Sequence, residues 1–338
     1  MRDLYPLLLR PQFHQRVWGS RNLAPIYSEG PNGGPIGEAW LTGDDCRVAN
    51  GPLVGCALAD LSREFGAHLV GAVAPSPSRF PLLVKFLFPR DKLSVQVHPD
   101  DVEAARAGLP SGKNECWYVL QAEPGAQIAL GLKPGTTKDE VERAIRETSL
   151  ELLLNWIEVK PGDMYYVEAG TIHAIGPGSV IVETQQNSDT TYRLYDYGRP
   201  RELHIEAGLG ALRTKTAAGK VVAGHSVSRN GKTQANLLVS PWFIVDKFRL
   251  ASSWQFRRPP HARRSVWCLT ALEGSSVVES PGAAPATFTA GEAVVIPAAV
   301  NEFVLKPQGE VELLCSSLPV EKEARLTELA ERTAGIER

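Results

Sequence analysis

Short stretches in which apolar and polar residues alternate recur along the chain and predict a mainly β protein. The clearest is KLSVQVH at residues 92–98, where apolar residues at positions 93, 95 and 97 alternate with Ser94, Gln96 and His98. Successive side chains of a strand point to opposite faces, so we expect the apolar residues to share one face and the polar residues the other. A solvated face would more usually carry Lys, Glu or Thr. A hydroxyl, an amide and an imidazole in line therefore predict the wall of a polar cavity.

Helical spacing is confined to a few segments. Residues 136–156 carry apolar side chains at helical intervals and predict one or two helices, whose start Thr136 or Thr137 can cap. A shorter helix is predicted near residues 204–213. The charged tail at 321–338 is expected to form a surface helix that docks on one side only. Between these segments the chain alternates between strands and turns, as its 30 glycines and 25 prolines indicate.

One internal repeat divides the chain. Residues 160–175 and 289–304 share the same order of glycine, acidic residue, apolar run, small-residue turn and further strand. Two ECWYVL-like segments precede them in the same order. In the second copy, a serine stands where the first has Glu115, and a glutamate stands where the first has His173. The repeat therefore predicts two similar β modules, of which only the first keeps a full polar site.

The predicted organisation follows from this repeat. Residues 1–215 form a first β-barrel module with the site and the helical insertion near 136–156. Residues 216–320 form a second, similar module without a metal site, and 321–338 form the tail helix.

Four polar side chains of the first copy are candidate ligands of a metal ion. Gln96 and His98 lie two residues apart and share one face of their strand, whereas Glu115 begins a strand and His173 follows a tight turn. Two imidazoles, a carboxylate and an amide oxygen suit a borderline divalent cation, with zinc favoured and Fe²⁺ as the competitor. A lone His98 is more often a structural histidine. Four such groups in this arrangement favour one metal ion per chain.

Basic residues near these candidates predict a site for a phosphate. Ser94 and Lys113 stand two residues before candidate ligands, and Arg193 and Arg199 lie in the aromatic stretch TTYRLYDYGR. A hydroxyl with lysine and arginine suits a phosphate, although Lys113 and Arg199 taken singly would be solvated surface charges. Arg193 lies among apolar and aromatic residues and needs a partner, for which Glu183 is the candidate. Glu183 is then either half of a structural ion pair or a proton carrier.

Charge and composition narrow the range of partners. The 338 residues include 36 basic and 38 acidic side chains, a net charge of −2, which argues against nucleic acid as an electrostatic partner. The sequence contains no run of about 18 apolar residues, so no membrane span is expected. Five scattered cysteines without a CxxC pair indicate reduced thiols and a cytoplasmic protein.

Several short motifs occur together in the first part of the chain. They are QVHPD, a glutamate within KNECWYVL, the turn AGTIHA and the strand TYRLYDYGR, with RVWGS and PIGEAW upstream. In this combination the chain resembles the type I mannose-6-phosphate isomerases of the shorter bacterial kind. The resemblance implies a tandem cupin fold with zinc in the first barrel. It also implies a metal-dependent aldose–ketose isomerase that interconverts mannose 6-phosphate and fructose 6-phosphate through an enediolate.

The resemblance implies roles for individual residues. It places Ser94, Lys113 and, as a further contact, Arg199 at the sugar phosphate. Arg193 would be the catalytic arginine. A base must carry a proton between C2 and C1 of the sugar, and Lys113, Glu183 and a metal-bound water are all candidates. The metal ligands implied by the resemblance are the four candidates named above: Gln96, His98, Glu115 and His173.

Other functions stay open on the sequence. A sugar-binding cupin without enzymatic activity would need neither a metal nor an Arg193–Glu183 pair. An Fe²⁺ dioxygenase on the same fold would leave the lysine, arginine and serine near the site unexplained. A related isomerase acting on another sugar phosphate would share the whole site. In each case the expected partner is a small molecule, and the chain is expected to be a monomer or a weak homo-oligomer.

Overall fold

The chain folds into a mainly β structure, as the sequence predicts. The computed structural model describes residues 3–28, 30–31, 33–222, 224, 226–258 and 264–319. The tail helix predicted at 321–338 lies outside these residues. Within the described part of the chain, no helix is both long and apolar enough to cross a membrane.

Strands of the first part of the chain are short, and most are buried. They are β1 (Leu7–Leu9), β2 (Gln12–Ser20), β3 (Ile36–Trp40), β4 (Leu82–Leu87), β5 (Val95–Val97), β6 (Glu115–Ala122), β7 (Gln127–Leu132), β8 (Leu154–Glu158), β9 (Met164–Val167), β10 (His173–Ile175), β11 (Ser179–Gln186) and β12 (Tyr192–Tyr195).

Strands of the second part of the chain are also short and pair in antiparallel fashion. They are β13 (Gly219–Lys220), β14 (Val227–Arg229), β15 (Lys232–Val239), β16 (Ile244–Leu250), β17 (Trp254–Arg257), β18 (Trp267–Glu273), β19 (Ser275–Glu279), β20 (Ala286–Thr289), β21 (Ala293–Ile296), β22 (Glu302–Pro307) and β23 (Val311–Ser317).

Helices occur in the first part of the described chain. They are α1 (Leu58–Phe65), α2 (Ala67–Val70), α3 (Asp101–Arg106), α4 (Lys138–Arg146) and α5 (Ile205–Ala211), with 3₁₀ turns at Gly51–Leu53 and Leu150–Leu153. The helix predicted near 204–213 is α5. The one or two helices predicted within 136–156 are α4 and the 3₁₀ turn at Leu150–Leu153, but the helical segment ends earlier than predicted, because the chain enters β8 at Leu154. Pairing with β7 determines that change, since Trp156 lies opposite Ala129 in the antiparallel ladder. The sequence pattern did not predict α1, α2 or α3.

Four antiparallel sheets form two barrels. The first barrel consists of two sheets. One has the strand order β13-β9-β6-β11-β4-β3-β2, and the other has the order β12-β5-β10-β7-β8. The second barrel also consists of two sheets, with the strand orders β1-β21-β18-β23-β16-β15-β14 and β17-β22-β19-β20. This arrangement of the sheets agrees with the predicted tandem of β-barrel modules.

Two strands cross the predicted boundary near residue 215. The N-terminal strand β1 pairs with β21 of the second module, where Leu8 lies opposite Val294. Strand β13 pairs with β9 of the first module, where Gly219 lies opposite Tyr166. The division of the chain into two modules stays a prediction, and these two strands tie the modules together.

Four buried apolar clusters hold the sheets in place. One fills the first barrel around Trp117, and a second fills the second barrel around Phe288. A third lies between the barrels and includes Phe86 from the first and Val295 from the second. The fourth packs α4 and α5 against the outer face of β5, around Val95. The predicted cavity wall is therefore backed by a dry layer under two helices.

Candidate active site

The structure brings the four predicted metal ligands to one end of the first barrel. Gln96 lies in β5, His98 follows that strand, Glu115 begins β6 and His173 begins β10. His173 lies directly opposite Gln96 in the antiparallel ladder. One donor atom from each of His98, Glu115 and His173 lies within 4.8 Å of the others. Strand register, and not sequence proximity, thus assembles the cluster.

Both histidines present an unprotonated Nε2 to the cluster. Nδ1 of His98 lies 2.9 Å from the carbonyl oxygen of Thr190, and Nδ1 of His173 lies 2.9 Å from that of Thr171. A carbonyl oxygen can only accept, so each Nδ1 carries the proton and each Nε2 keeps its lone pair. Burial, with a smaller effect of Lys113 on both rings, lowers the pKa of His98 well below its usual value and that of His173 to about 4. Neutral imidazole is the form that binds a metal.

Glu115 supplies two carboxylate oxygens that no donor of the protein fully satisfies. The residue is 0% exposed, and neither oxygen accepts a well-directed hydrogen bond. Its Oε2 lies 3.6 Å from Nε2 of His98 and its Oε1 lies 3.4 Å from Nε2 of His173. Two ligands of one tetrahedral zinc ion stand about 3.3 Å apart. The side-chain nitrogen Nε2 of Gln96 lies 3.2 Å from Nε2 of His173, and a half-turn of this amide would bring its oxygen to the same place as a fourth ligand. These residues fit a divalent cation.

Lys113 lies inside the ligand cluster. Its Nζ is 3.0 Å from Nε2 of His98 and 3.1 Å from Oε2 of Glu115. The side chain is only 4% exposed, so the alternative of a solvated surface lysine is wrong. Because it contacts the ligands themselves, Lys113 belongs to the end of the site where a metal would lie.

A cavity of about 290 Å³ opens beside the cluster. Ligand pockets span about 300–1,000 Å³, so this cavity is of a size for a small metabolite. Five predicted site residues line it: Ser94, Gln96, Lys113, Glu183 and Arg193. The sequence reasoning gave no role to the other lining residues, which are Arg16, Trp18, Glu38, Lys85, Leu87, Leu93, Asp189, Thr191 and Arg201.

The predicted alternation holds only in part. Val95 and Val97 pack under the helices, and Ser94 and Gln96 line the cavity, as expected. Leu93, in contrast, packs inside the barrel and lines the cavity with Ser94. The regular strand begins only at Val95, so residues before it are not bound to alternate.

Glu183 has a different partner from the one expected. Lys85 Nζ lies 3.0 Å from Oε1 of Glu183, and Trp117 Nε1 donates to Oε2 at 3.1 Å. Burial and the nearby Glu115 carboxylate raise the pKa of Glu183, while Lys85 and Lys113 oppose the rise. Lys85 is missing from the sequence prediction, although a lysine amid the apolar strand LLVKFL was a usable signal.

A second carboxylate extends this buried pair. Glu38 accepts from Arg16 through Nε at 3.0 Å and Nη2 at 3.2 Å, and its Oε2 lies 3.8 Å from Lys85 Nζ. Trp40 Nε1 donates to the same oxygen at 2.6 Å. Burial alone would raise the pKa of Glu38, but Lys85 and Arg16 outweigh it and lower the pKa to about 2. The cavity therefore has a wall of interlocked charges.

Three arginines cluster at the other side of the cavity. Arg193 donates from Nη1 to the carbonyl of Glu202 at 2.8 Å, and its Nε is buried without a partner. Burial and the neighbouring Arg201 lower the pKa of Arg193. Arg201, held by Asp196 at 2.6 Å, lines the cavity. Arg199 is instead bound by Asp196 at 2.8 Å and lies outside the residues lining the cavity.

The corresponding positions of the second module carry other contacts. Ser265 donates from Oγ to the carbonyl of Val266 at 2.9 Å, and the Glu302 carboxylate pairs with Arg257 at 2.9 Å. In the described part of the chain, the His98, Glu115 and His173 group is the one set of three such donors found together. Two β-barrels with a candidate metal centre at the first define a protein of the cupin class.

Comparisons with known proteins narrow this class to a family. The model of the type I phosphomannose isomerase catalytic domain matches residues 7–131. Mannose-6-phosphate isomerase ManA of Bacillus subtilis is 34% identical over 93% of this chain and 99% of its own length. Mannose-6-phosphate isomerase of Streptococcus mutans is 35% identical over 92% of this chain and 98% of its own length. The chain therefore belongs to the type I mannose-6-phosphate isomerase family.

Solved structures agree with this assignment. The mannose 6-phosphate isomerase of Bacillus subtilis superposes with a TM-score of 0.82 at 32% identity, covering 92% of this chain and 99% of the other. A variant of phosphomannose isomerase from Salmonella typhimurium superposes with a TM-score of 0.70 at 16% identity, covering 92% and 99%, which supports the fold alone.

Proposed function

We propose that the protein is a zinc-dependent isomerase that interconverts mannose 6-phosphate and fructose 6-phosphate. The observation that carries the proposal is the buried cluster of His98, Glu115 and His173 beside a small cavity lined with basic side chains, of which Lys113 contacts the cluster. Family membership supports the same reaction, because the relatives that match along nearly their whole length are named for it.

The metal would be held by Nε2 of His98 and His173, a carboxylate oxygen of Glu115 and the side-chain amide oxygen of Gln96. Bound there, zinc supplies positive charge next to the oxygens at C1 and C2 of an open-chain sugar. Nζ of Lys113 donates to Nε2 of His98 and lies 3.1 Å from Oε2 of Glu115, so its ammonium group is expected to turn toward the cavity when the ion binds.

The sugar phosphate would enter with its phosphate toward the arginine side. Ser94 and Arg201 line that side, and Asp196 fixes the Arg201 guanidinium in place. The Arg201 guanidinium supplies positive charge there that attracts a dianion, and Arg193 is left for the reacting end. We assign Arg199 the role of restraining Asp196, and Lys113 a role at the reacting end. Both assignments refine those drawn from the sequence.

Proton transfer would move one hydrogen between two carbons. A base removes the C2 proton of the aldose, the C2–H electron pair forms the C1–C2 double bond, and the π pair of the C1 carbonyl moves onto its oxygen to give an enediolate. The same group returns the proton to C1 while the hydroxyl proton of C2 passes to the oxygen of C1, so nothing is gained or lost. Glu183 is our candidate base, since its raised pKa matches a proton carrier. Arg193 would stabilise the negative charge on the enediolate.

Compartment and assembly complete the proposal. All five cysteines are free thiols, which supports the proposed cytoplasmic location. We propose a monomer or a weak homo-oligomer that acts on the small-molecule substrate alone.

A coupled assay of fructose 6-phosphate formation from mannose 6-phosphate tests the proposal. The assay is run on chelator-treated protein and again after zinc is added back. We expect activity to vanish on chelation and to return with zinc. Folded, zinc-loaded protein that forms no fructose 6-phosphate would contradict the proposed reaction. Full activity in the metal-free protein would contradict the proposed cofactor.

A further inference from the structure

A chain of hydrogen bonds links the second module to the candidate metal ligands. Trp242, in the loop before β16, donates from Nε1 to Oδ2 of Asp101 at 3.0 Å. Oδ1 of Asp101 accepts from Nε2 of Gln186 at 2.9 Å. Oε1 of Gln186 accepts from the backbone N–H and the Nδ2 of Asn114, at 3.0 and 2.8 Å. Asn114 directly precedes Glu115. We name Trp242, Asp101, Gln186 and Asn114 the inter-module network.

The network also reaches the second ligand strand. Oδ1 of Asn114 accepts from the backbone N–H of Ala169 at 2.9 Å and from the Tyr166 hydroxyl at 3.3 Å. Ala169 lies in the tight turn that leads into His173. The ring of Tyr166 stacks on that of Trp242, with centroids 6.5 Å apart and planes at 21°. One asparagine, 1% exposed, therefore joins the segments that carry two ligands.

Two features of the geometry restrict the movement of the turn before His173. The turn before His173 contains Gly170 with φ of +87°, and a Cβ there would lie 3.0 Å from the carbonyl of Ala211. The turn is thus held between Asn114 on one side and α5 on the other. A side-chain amide with its oxygen and nitrogen both committed cannot rotate without leaving a buried polar atom unpaired.

We propose that the inter-module network positions Glu115 and His173 for metal binding, and that this is a task of the second module. The inference rests on the proposed metal site. Partners that hold metal ligands from behind change metal affinity by about 10–100-fold when they are removed. Trp242 is the contribution of the second module to this network, and it acts on the metal through three intervening residues.

The test measures zinc affinity by competition with a chromophoric chelator. Trp242→Phe removes the N–H donor but keeps a ring against Tyr166. Asp101→Ala cuts the next link and also removes the acceptor of the Gly112 backbone N–H, so urea unfolding of this variant is measured beside its zinc affinity. Tyr27→Phe is the matched control, because the Tyr27 hydroxyl donates across the modules to the carbonyl of Gly291 at 2.7 Å outside the network.

We expect the zinc dissociation constant to rise about 10-fold in Trp242→Phe and in Asp101→Ala. The double variant should lose no more than Asp101→Ala alone, because both changes cut one chain. With saturating zinc, kcat should fall while KM for the sugar phosphate stays within about twofold of wild type. Tyr27→Phe should keep wild-type zinc affinity.

Four results would overturn the inference. Wild-type zinc affinity in both single variants would show that the network does not position the ligands. Losses that add in the double variant, or an equal loss in Tyr27→Phe, would indicate a general loosening of the modules. Wild-type protein that binds no zinc would overturn the proposed metal site, and this inference with it, whereas the first three results leave that site standing.

Discussion

Lys113 is a buried cation placed where a second cation is expected to bind. Its ammonium contacts His98 and Glu115, and both groups are also candidate metal ligands. A like charge at this distance opposes the metal, so the lysine weakens zinc binding to some degree. We therefore expect Lys113 to serve the reaction and not the affinity for the metal.

Replacing Lys113 by methionine separates the two effects. We expect Lys113→Met to bind zinc as tightly as wild type or more tightly, because a repelling charge is removed. Turnover should fall by about 100-fold or more, the contribution typical of a positioned proton donor or acceptor. The measurements are a zinc titration and the coupled assay. Lys92→Met, at a lysine that is 40% exposed and paired with Glu151, should change neither value.

Glu183 is expected to set the acid side of the pH profile. Its pKa is raised, so the carboxyl stays protonated to a higher pH than an ordinary glutamate, whose value is 4.5. A protonated carboxyl cannot accept the C2 proton, and activity should therefore fall with a midpoint above pH 4.5. Glu183→Gln should lower kcat by about 100-fold or more, and the remaining activity should no longer fall on the acid side of the pH profile. Zinc content measured across the same pH range is the control. If the acid-side fall in activity persists in the variant, it belongs to another titrating group.

Glu38 is expected to stabilise the fold above its unfolded pKa. Its folded pKa of about 2 lies below the ordinary 4.5, so the stabilisation is present above pH 4.5 and is lost as pH falls toward 2. The shift corresponds to about 3 kcal/mol. In zinc-free protein, urea unfolding at pH 6 should show Glu38→Gln less stable by roughly that order. The difference should shrink as pH falls toward 2, and a constant difference would contradict the linkage.

Helix α4 shows how one element supports the site from outside. Its buried residues Val141, Ala144 and Ile145 pack on the layer that contains Val95 and Val97 of β5. A capping box fixes its start, because the Thr137 side chain accepts from the backbone N–H of Glu140 and the Glu140 carboxylate accepts from the backbone N–H of Thr137. The sequence left Thr136 and Thr137 as alternatives, and the structure selects the second.

The cap gives a prediction about stability alone. Thr137→Ala should lower the free energy of unfolding by about 1 kcal/mol, because the N3 amide loses its acceptor. Zinc affinity should not change, since α4 contacts the ligand strand only through apolar groups. Chemical denaturation and the zinc titration measure the two quantities. Thr136→Ala is the matched control and should stay near wild type, and an equal loss there would contradict the cap.

At the scale of the whole molecule, the two barrels share one core. The cluster between them includes Phe86, Tyr118 and Val182 from the first barrel and Val245 and Val295 from the second. Strand β1 closes a sheet of the second barrel although it begins the chain. Neither module therefore buries all of its apolar surface without the other.

Shared burial predicts a single cooperative unfolding transition. The seven tryptophans are spread over both modules, so their fluorescence reports on each. Thermal unfolding followed by fluorescence and by far-ultraviolet circular dichroism should give coincident curves. Added zinc should move the whole curve upward, and excess chelator should reverse the shift. Two transitions, of which only one responds to zinc, would show that the modules unfold independently.

Local pattern by itself determined much of this protein. Alternation along 94–97, the cap before α4 and the spacing of Gln96 and His98 depend on backbone geometry within a few residues, so the sequence predicts them directly. The repeat and the family motifs indicated two β modules with one metal site. Tertiary structure alone decided which distant groups meet. Lys85 took the place expected for Arg193 beside Glu183, Arg201 and not Arg199 lines the cavity, and Trp242 of the second module donates to Asp101 of the first. These contacts depend on sheet register and barrel closure, which join residues far apart in the chain and leave no periodic trace in the sequence.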